Sequence, residues 1–133
     1  MNKRNSQARP ARGLRWAARI TGTLVAGLWL LVGITGAISE GFGPLDAESA
    51  TMATLMVVSA VAVGVAWRRE DTGGWLVVGC GLAHAVFALL AAEHNHLLAM
   101  SVMGLPLVVI GTLFLVTARL SGRQAVLQTK SIG

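Results

Sequence analysis

An all-α membrane protein, an up-down four-helix transmembrane bundle, is the fold this sequence predicts, on three observations. Of its 133 residues, 54% are hydrophobic and 13% charged, against about 25% charged in an ordinary soluble domain. Four stretches, each of roughly the 20 residues that carry a helix across a ~30 Å hydrocarbon core, hold no Lys, Arg, Asp or Glu. All 11 Lys and Arg residues lie outside those stretches, where they orient a chain in a bilayer. A net charge of +5 in a soluble protein would suggest nucleic acid; here it reads as topology, and no nucleic-acid partner is expected.

In chain order, residues 1–14 are polar and basic, with Lys3, Arg4, Arg9, Arg12 and Pro10 and no periodic apolar pattern, so a disordered arm is expected. Arg15 and Arg19 flank Trp16 at the entry to the first span, about residues 17–39, whose uncharged run is Ile20–Ser39. Its apolar run is longer than the 7–15 residues typical of a secretory signal, so a retained helix is the better reading. The segment from Glu40 to Glu48 carries Gly41, Gly43, Pro44 and three acids, which make a wet loop. Ser49 reads as the N-cap of the second span, residues 49–67.

The second and third spans meet at Trp67-Arg68-Arg69-Glu70-Asp71-Thr72-Gly73-Gly74-Trp75, read as a solvated charged turn. The third span, residues 73–92, holds the single cysteine, Cys80, and His84. Glu93-His94-Asn95-His96 is a polar turn. The fourth span, residues 97–118, contains Pro106, which removes one backbone donor from the helix and predicts a kink that leaves the Val102 carbonyl to another donor. Residues 120–133 read as a short tail, so that 15–119 is the transmembrane domain.

Four spans place both termini on one side. The basic residues sit in the N-terminal arm, the central turn and the tail, whereas the other two connections hold Glu40, Asp46, Glu48, Glu93, His94 and His96 but no Lys or Arg. The expectation is a multi-pass protein of the inner (plasma) membrane with both termini cytoplasmic. Trp16, Trp67 and Trp75 then mark the cytoplasmic interface. Short connections make consecutive helices antiparallel neighbours. Small residues mark faces of close approach: Gly81, Ala85, Ala88 and Ala92 on the third span, Gly33 and Ala37 on the first, Ala60 and Gly64 on the second.

Two sets of residues are candidates for chemistry. His84 is mid-span, where an ionisable group is a functional hypothesis by default. It is either helix glue, bonded to a Ser, Thr or carbonyl of a neighbour (Thr21, Thr23, Thr35, Ser59, Ser101 and Thr112 are the hydroxyls available), or a proton- or cofactor-binding group. On the outer side Glu93, His94, His96 and Met100, with Met52, Met56 and Met103 in the same half, compose a soft set compatible with Cu(I). Against it stands a solvated turn with Met filling gaps. The six bases from Lys3 to Arg19 would attract anionic lipid. No nucleophile–base pair, phosphate loop or zinc motif is present, and the spans lack the polar stripes of a channel.

Ala18-Arg19-Ile20, Glu40-Gly41-Phe42, Trp67-Arg68-Arg69-Glu70 with Gly73-Gly74, Gly104-Leu105-Pro106 and Gly111-Thr112-Leu113-Phe114 together resemble a family of small uncharacterised bacterial four-span membrane proteins of unknown function. The resemblance covers roughly residues 15–121 and implies the four-span topology, with no activity, cofactor or essential histidine attached to it. The expected function is therefore structural or accessory, without enzymatic activity or cofactor, acting in the lipid bilayer through contacts with itself or another membrane protein. Metal or cofactor binding is the first alternative, and a small-solute transporter or channel subunit relying on His84 is the second.

Overall fold

The computed structural model describes the backbone of residues 4–40, 46–91 and 94–130, and the side chains of 13–39, 46–91 and 94–122. These form four helices in chain order: α1 (Arg4–Glu40), α2 (Ala47–Arg68), α3 (Glu70–Ala91) and α4 (His96–Lys130). All four are long and apolar enough to cross a membrane, and no strand occurs among the described residues. At 1.5 Å per residue, α2 and α3 are each about 33 Å long and α1 about 55 Å. The middle pair thus matches a hydrocarbon core, and α1 overshoots it.

The ends of the helices depart from the sequence reading. Helix α1 begins at Arg4, so the stretch expected to be a disordered arm continues the first span as helix, and α4 runs on through most of the expected tail to Lys130. Asp46, not Ser49, is the N-cap of α2: its Oδ1 accepts from the Ser49 backbone N–H at 2.7 Å. The helix starts one turn early because a carboxylate three residues upstream satisfies the free amide that a Ser cap would have served. Pro106 lies inside α4 without ending it. Asn95 joins α3 to α4 with φ 55°, a left-handed conformation that Asn tolerates.

Helices α2 and α3 are joined by one residue. Arg69 is the C-cap of α2, donating its N–H to the Val65 carbonyl, while its own carbonyl accepts from Gly73 at 2.8 Å. So short a joint presses the helices together. A Cβ on Gly73 would fall on the backbone of Ala66, and this is why glycine stands there.

The most extensive interface is between α3 and α4. It is built from two antiparallel glycine pairs. A Cβ on Gly81 would lie 2.8 Å from the Val108 N and 3.0 Å from the Gly104 carbonyl, and one on Gly104 2.7 Å from the Gly81 carbonyl. Gly74 and Gly111 repeat the arrangement seven residues away on each helix. In lipid, where no hydrophobic force drives helices together, this backbone proximity supplies the dispersion and Cα–H···O contacts that do. The expected small face of α3 is present at Gly81, Ala85 and Ala88, whereas Gly64 of α2 faces open space.

The core lies in the half nearer the α2–α3 hairpin. Ala18, Ala62, Val63, Ala66, Val77, Cys80, Leu107, Ile110 and Phe114 form one buried cluster. Helix α1 meets it at Ala18, at Gly22, where a Cβ would stand 3.2 Å from Ile110 Cγ2 and 3.5 Å from Val63 Cγ1, and at Val25 and Ala26, which pack against it. Even so, α1 is the least covered of the four helices. Only 6% of its apolar window is buried by the rest of the chain, against 28% in each other helix.

Candidate functional sites at the two ends of the bundle

His84 is buried on α3, and its Nδ1 lies 2.9 Å from the carbonyl oxygen of Cys80. A carbonyl only accepts, so Nδ1 carries the proton and a neutral ring keeps its lone pair on Nε2. The partner is one turn back on the same helix, not a group on a neighbour as the glue reading expects. Four of the six hydroxyls named for that role are otherwise engaged. Thr23, Thr35, Ser101 and Thr112 each donate to the carbonyl four residues back on their own helices, the usual fate of Ser and Thr in apolar surroundings. Ser59 is buried with no hydrogen-bond partner among the described residues.

The outer candidates are dispersed. His94 is exposed in the bend before α4. His96 opens α4, exposed, with its Nδ1 3.2 Å from the Leu89 carbonyl, one of the carbonyls the last turn of α3 leaves unpaired. Met100 is half-buried on α4, and Glu93 lies outside the described residues. Among the described residues no three His, Cys, Asp or Glu side chains come together as metal ligands.

Two features of the structure went unnoticed in the sequence. The first is a charged clamp at the hairpin end. Glu70, read as part of a solvated turn, is 8% exposed. Arg15 and Arg19, one turn apart on α1, both reach it. Arg15 pairs through Nε with Oε1 and donates through Nη2 to Oε2 at 3.0 Å, a bidentate grip, and Arg19 Nη2 stands 3.4 Å from Oε1. The same Arg19 nitrogen donates to the Trp67 carbonyl at 2.9 Å, and its guanidinium lies 5.6 Å from the Trp67 ring centroid. One cation thus satisfies the C-terminal end of α2, stacks on its last aromatic and neutralises the first residue of α3. Signs suit both helix dipoles, with the acid at the start of α3 and the base at the end of α2. Arg68, Arg69 and Asp71 are exposed, as a solvated turn requires. The available signal was the Arg15/Arg19 spacing of four facing a lone Glu one helical hairpin away.

The second feature is a cleft at the opposite end. There α1 and α2 part around a cavity of about 290 Å³. Gly33 and Gly36 form its α1 wall, Met52 and Met56 its α2 wall, and Phe87 and Met103 close it from behind. The expected small pair does face α2: Gly33 lies against Met56, where a Cβ would stand 2.7 Å from the sulfur, and Ala37 borders the cavity. Glu48 stands at its rim, exposed, in the first turn of α2. Three of the four methionines expected in the outer half therefore share one cavity, and Met100 is not among them.

A helical bundle of four potential membrane spans, clamped at one end and cleft at the other, defines the class of protein. Its family follows from comparison: residues 5–127 match the profile of a domain of unknown function, DUF7670, and the chain belongs to that family. No curated protein and no solved structure matches it.

Proposed function

We propose that the protein is an integral component of the plasma membrane with both termini and the α2–α3 hairpin cytoplasmic, and that its role is accessory and non-enzymatic, exercised through α1 against a second copy of itself or another membrane protein. The orientation is supported by the basic residues, which cluster at the hairpin end and along the terminal segments. One observation carries the role: α1 leaves almost all its apolar window uncovered. Ile20, Leu24, Gly27, Leu31, Ile34 and Ile38 are all exposed and recur at alternating spacings of four and three, the seam of a helix that packs against another along its length. Gly27 has nothing within 4 Å of where a Cβ would stand, so a partner backbone has room to approach there.

Single cysteines in a Cys80→Ala background test this. Oxidation in native membranes is expected to give disulfide-linked dimers from Leu24→Cys and Leu31→Cys in far greater yield than from Leu82→Cys and Val86→Cys, which are equally exposed but on α3. Monomer at all four positions removes the self-association reading. If photo-crosslinkers at Leu24 and Leu31 then capture lipid alone, the accessory role through α1 falls with it.

A further inference from the structure

The cleft between α1 and α2 is independent of the exposed α1 seam, and its chemistry is specific. At about 290 Å³ it is far larger than a bare metal ion needs and close to the lower bound of small-molecule sites, about 300 Å³. Its walls are apolar and polarisable. Met52, Met56 and Met103 are flexible thioethers that adapt to irregular guests, and Phe87 offers a ring to which a cation is drawn. Gly33 and Gly36 leave the α1 wall bare. A Cβ on Gly33 would stand 2.7 Å from the Met56 sulfur, and one on Gly36 would meet nothing within 4 Å. Among the described residues the only charge on the lining is the carboxylate of Glu48. No Lys or Arg occurs between Arg19 and Arg68 or between Arg69 and Arg119, so neither helical connection at this end supplies a permanent positive charge. The N-terminal positions of α2 add Asp46 beside it.

We propose that this cleft binds a lipophilic cation, a guest with a bulky apolar body and a single positive charge, admitted sideways between α1 and α2. The thioethers and the aromatic ring take the body, and Glu48 takes the charge. An anion of the same shape meets an acidic rim with no Lys or Arg to receive it. The clamp at Arg15, Arg19 and Glu70 fixes α1 at the far end only, which leaves the cleft end of α1 free of polar ties to α2 among the described residues.

Equilibrium dialysis of the full-length protein in a mild non-ionic detergent, with tetraphenylphosphonium and the near-isosteric tetraphenylborate as probes, decides the matter. Saturable, stoichiometric phosphonium binding is expected, at least about tenfold tighter than the borate, because one carboxylate at partly screened range is worth about that factor. Glu48→Gln is expected to abolish that preference while leaving the melting temperature unchanged. Gly36→Trp, which builds a ring into space that is empty, is expected to remove phosphonium binding and leave the far-ultraviolet spectrum intact. Equal binding of the two ions, or phosphonium binding indifferent to both substitutions, overturns the proposal as mere partition into apolar surface. Stoichiometric Ag(I) binding lost in Met52→Leu, with no phosphonium binding, overturns it in favour of a soft-metal site. Cysteine cross-linking along α1 reads a different surface, so the two ideas fail separately.

Discussion

The interface between α3 and α4 and the seat of α1 solve the same problem by opposite means. Helices α3 and α4 are held along their length by backbone proximity, with Gly74 against Gly111 and Gly81 against Gly104. No side-chain hydrogen bond between the two is found among the described residues except that of His96 to the Leu89 carbonyl at their junction. Helix α1 packs on the core from Ala18 to Ala26, is fastened by charges at the hairpin end, and borders a cavity at the other. Steric fit is distributed and intolerant of added volume. An ionic clamp is local, and it leaves the rest of its helix available. The difference sets a helix pair locked by backbone fit against a first helix that packs more lightly and carries its polar ties at one end.

Substitutions can break each side of that contrast. The largest effect is expected from Gly81→Leu. The new side chain meets the backbone of α4 and has no flexible neighbour to displace, so a loss of about 3 kcal/mol is expected from overpacking, seen as a collapse of the melting temperature in detergent. The corresponding Gly36→Leu on α1 should cost almost nothing, and a similar loss at both sites would erase the distinction.

Next comes the clamp. Glu70→Gln keeps the shape and removes the charge that two arginines share. Arg15 is 44% exposed, and solvent screens much of the pair, so the expected cost is about 1–2 kcal/mol. It should appear as faster hydrogen exchange of the first turns of α1 within the described span, with α3 and α4 unchanged. Uniformly faster exchange in all four helices would show that α1 is integral to the rest of the bundle after all.

Ser59 gives a smaller effect of opposite sign. Its hydroxyl is buried without a partner among the described residues, and Ser59→Ala removes that polar group. A gain of up to about 1 kcal/mol is expected, and a loss of stability would mean that the hydroxyl has a partner in the membrane. The smallest effect is at Asp46, where hydrogen bonds from the Ser49 side chain and backbone lower the carboxyl pKa. Because the folded value is the depressed one, its contribution is complete above the ordinary carboxylate value of about 4. It fades as pH falls through the lower folded value. Asp46→Ala should therefore fray the start of α2 at neutral pH and remove this acid sensitivity, as amide exchange at residues 48–50 would register.

The four helices were legible because charge is absent from four runs of the right length, and a helix long and apolar enough to cross a membrane is marked by little else. Their ends were less so. The arm before Arg15 lacks an apolar period and contains Pro10 and Gly13, poor helix formers, yet α1 starts at Arg4, an extension that propensity does not announce. Ser49 was read as the cap of α2 when Asp46 is, because a cap is chosen by local backbone geometry that composition does not report. The clamp stayed hidden for another reason. Glu70 shares its turn with three exposed charges, and only the inter-helix register, absent from any one-helix pattern, reveals that it points inward. The cleft residues were partly visible as Met52, Met56 and Met103, but the space they enclose is a property of how α1 and α2 pack.

The single-residue joint at Arg69 has a consequence for how this chain can vary in length. Each residue advances a helix by about 100°. One amino acid added or lost between α2 and α3 would turn α3 by that angle relative to α2, carrying Gly73 away from Ala66, or Gly81 away from Gly104, and Glu70 away from its arginines. Three contacts spread over the whole molecule are thereby tied to one count. At Arg69 the chain's reading of space is fixed to the residue, and a tag or reporter does not belong there.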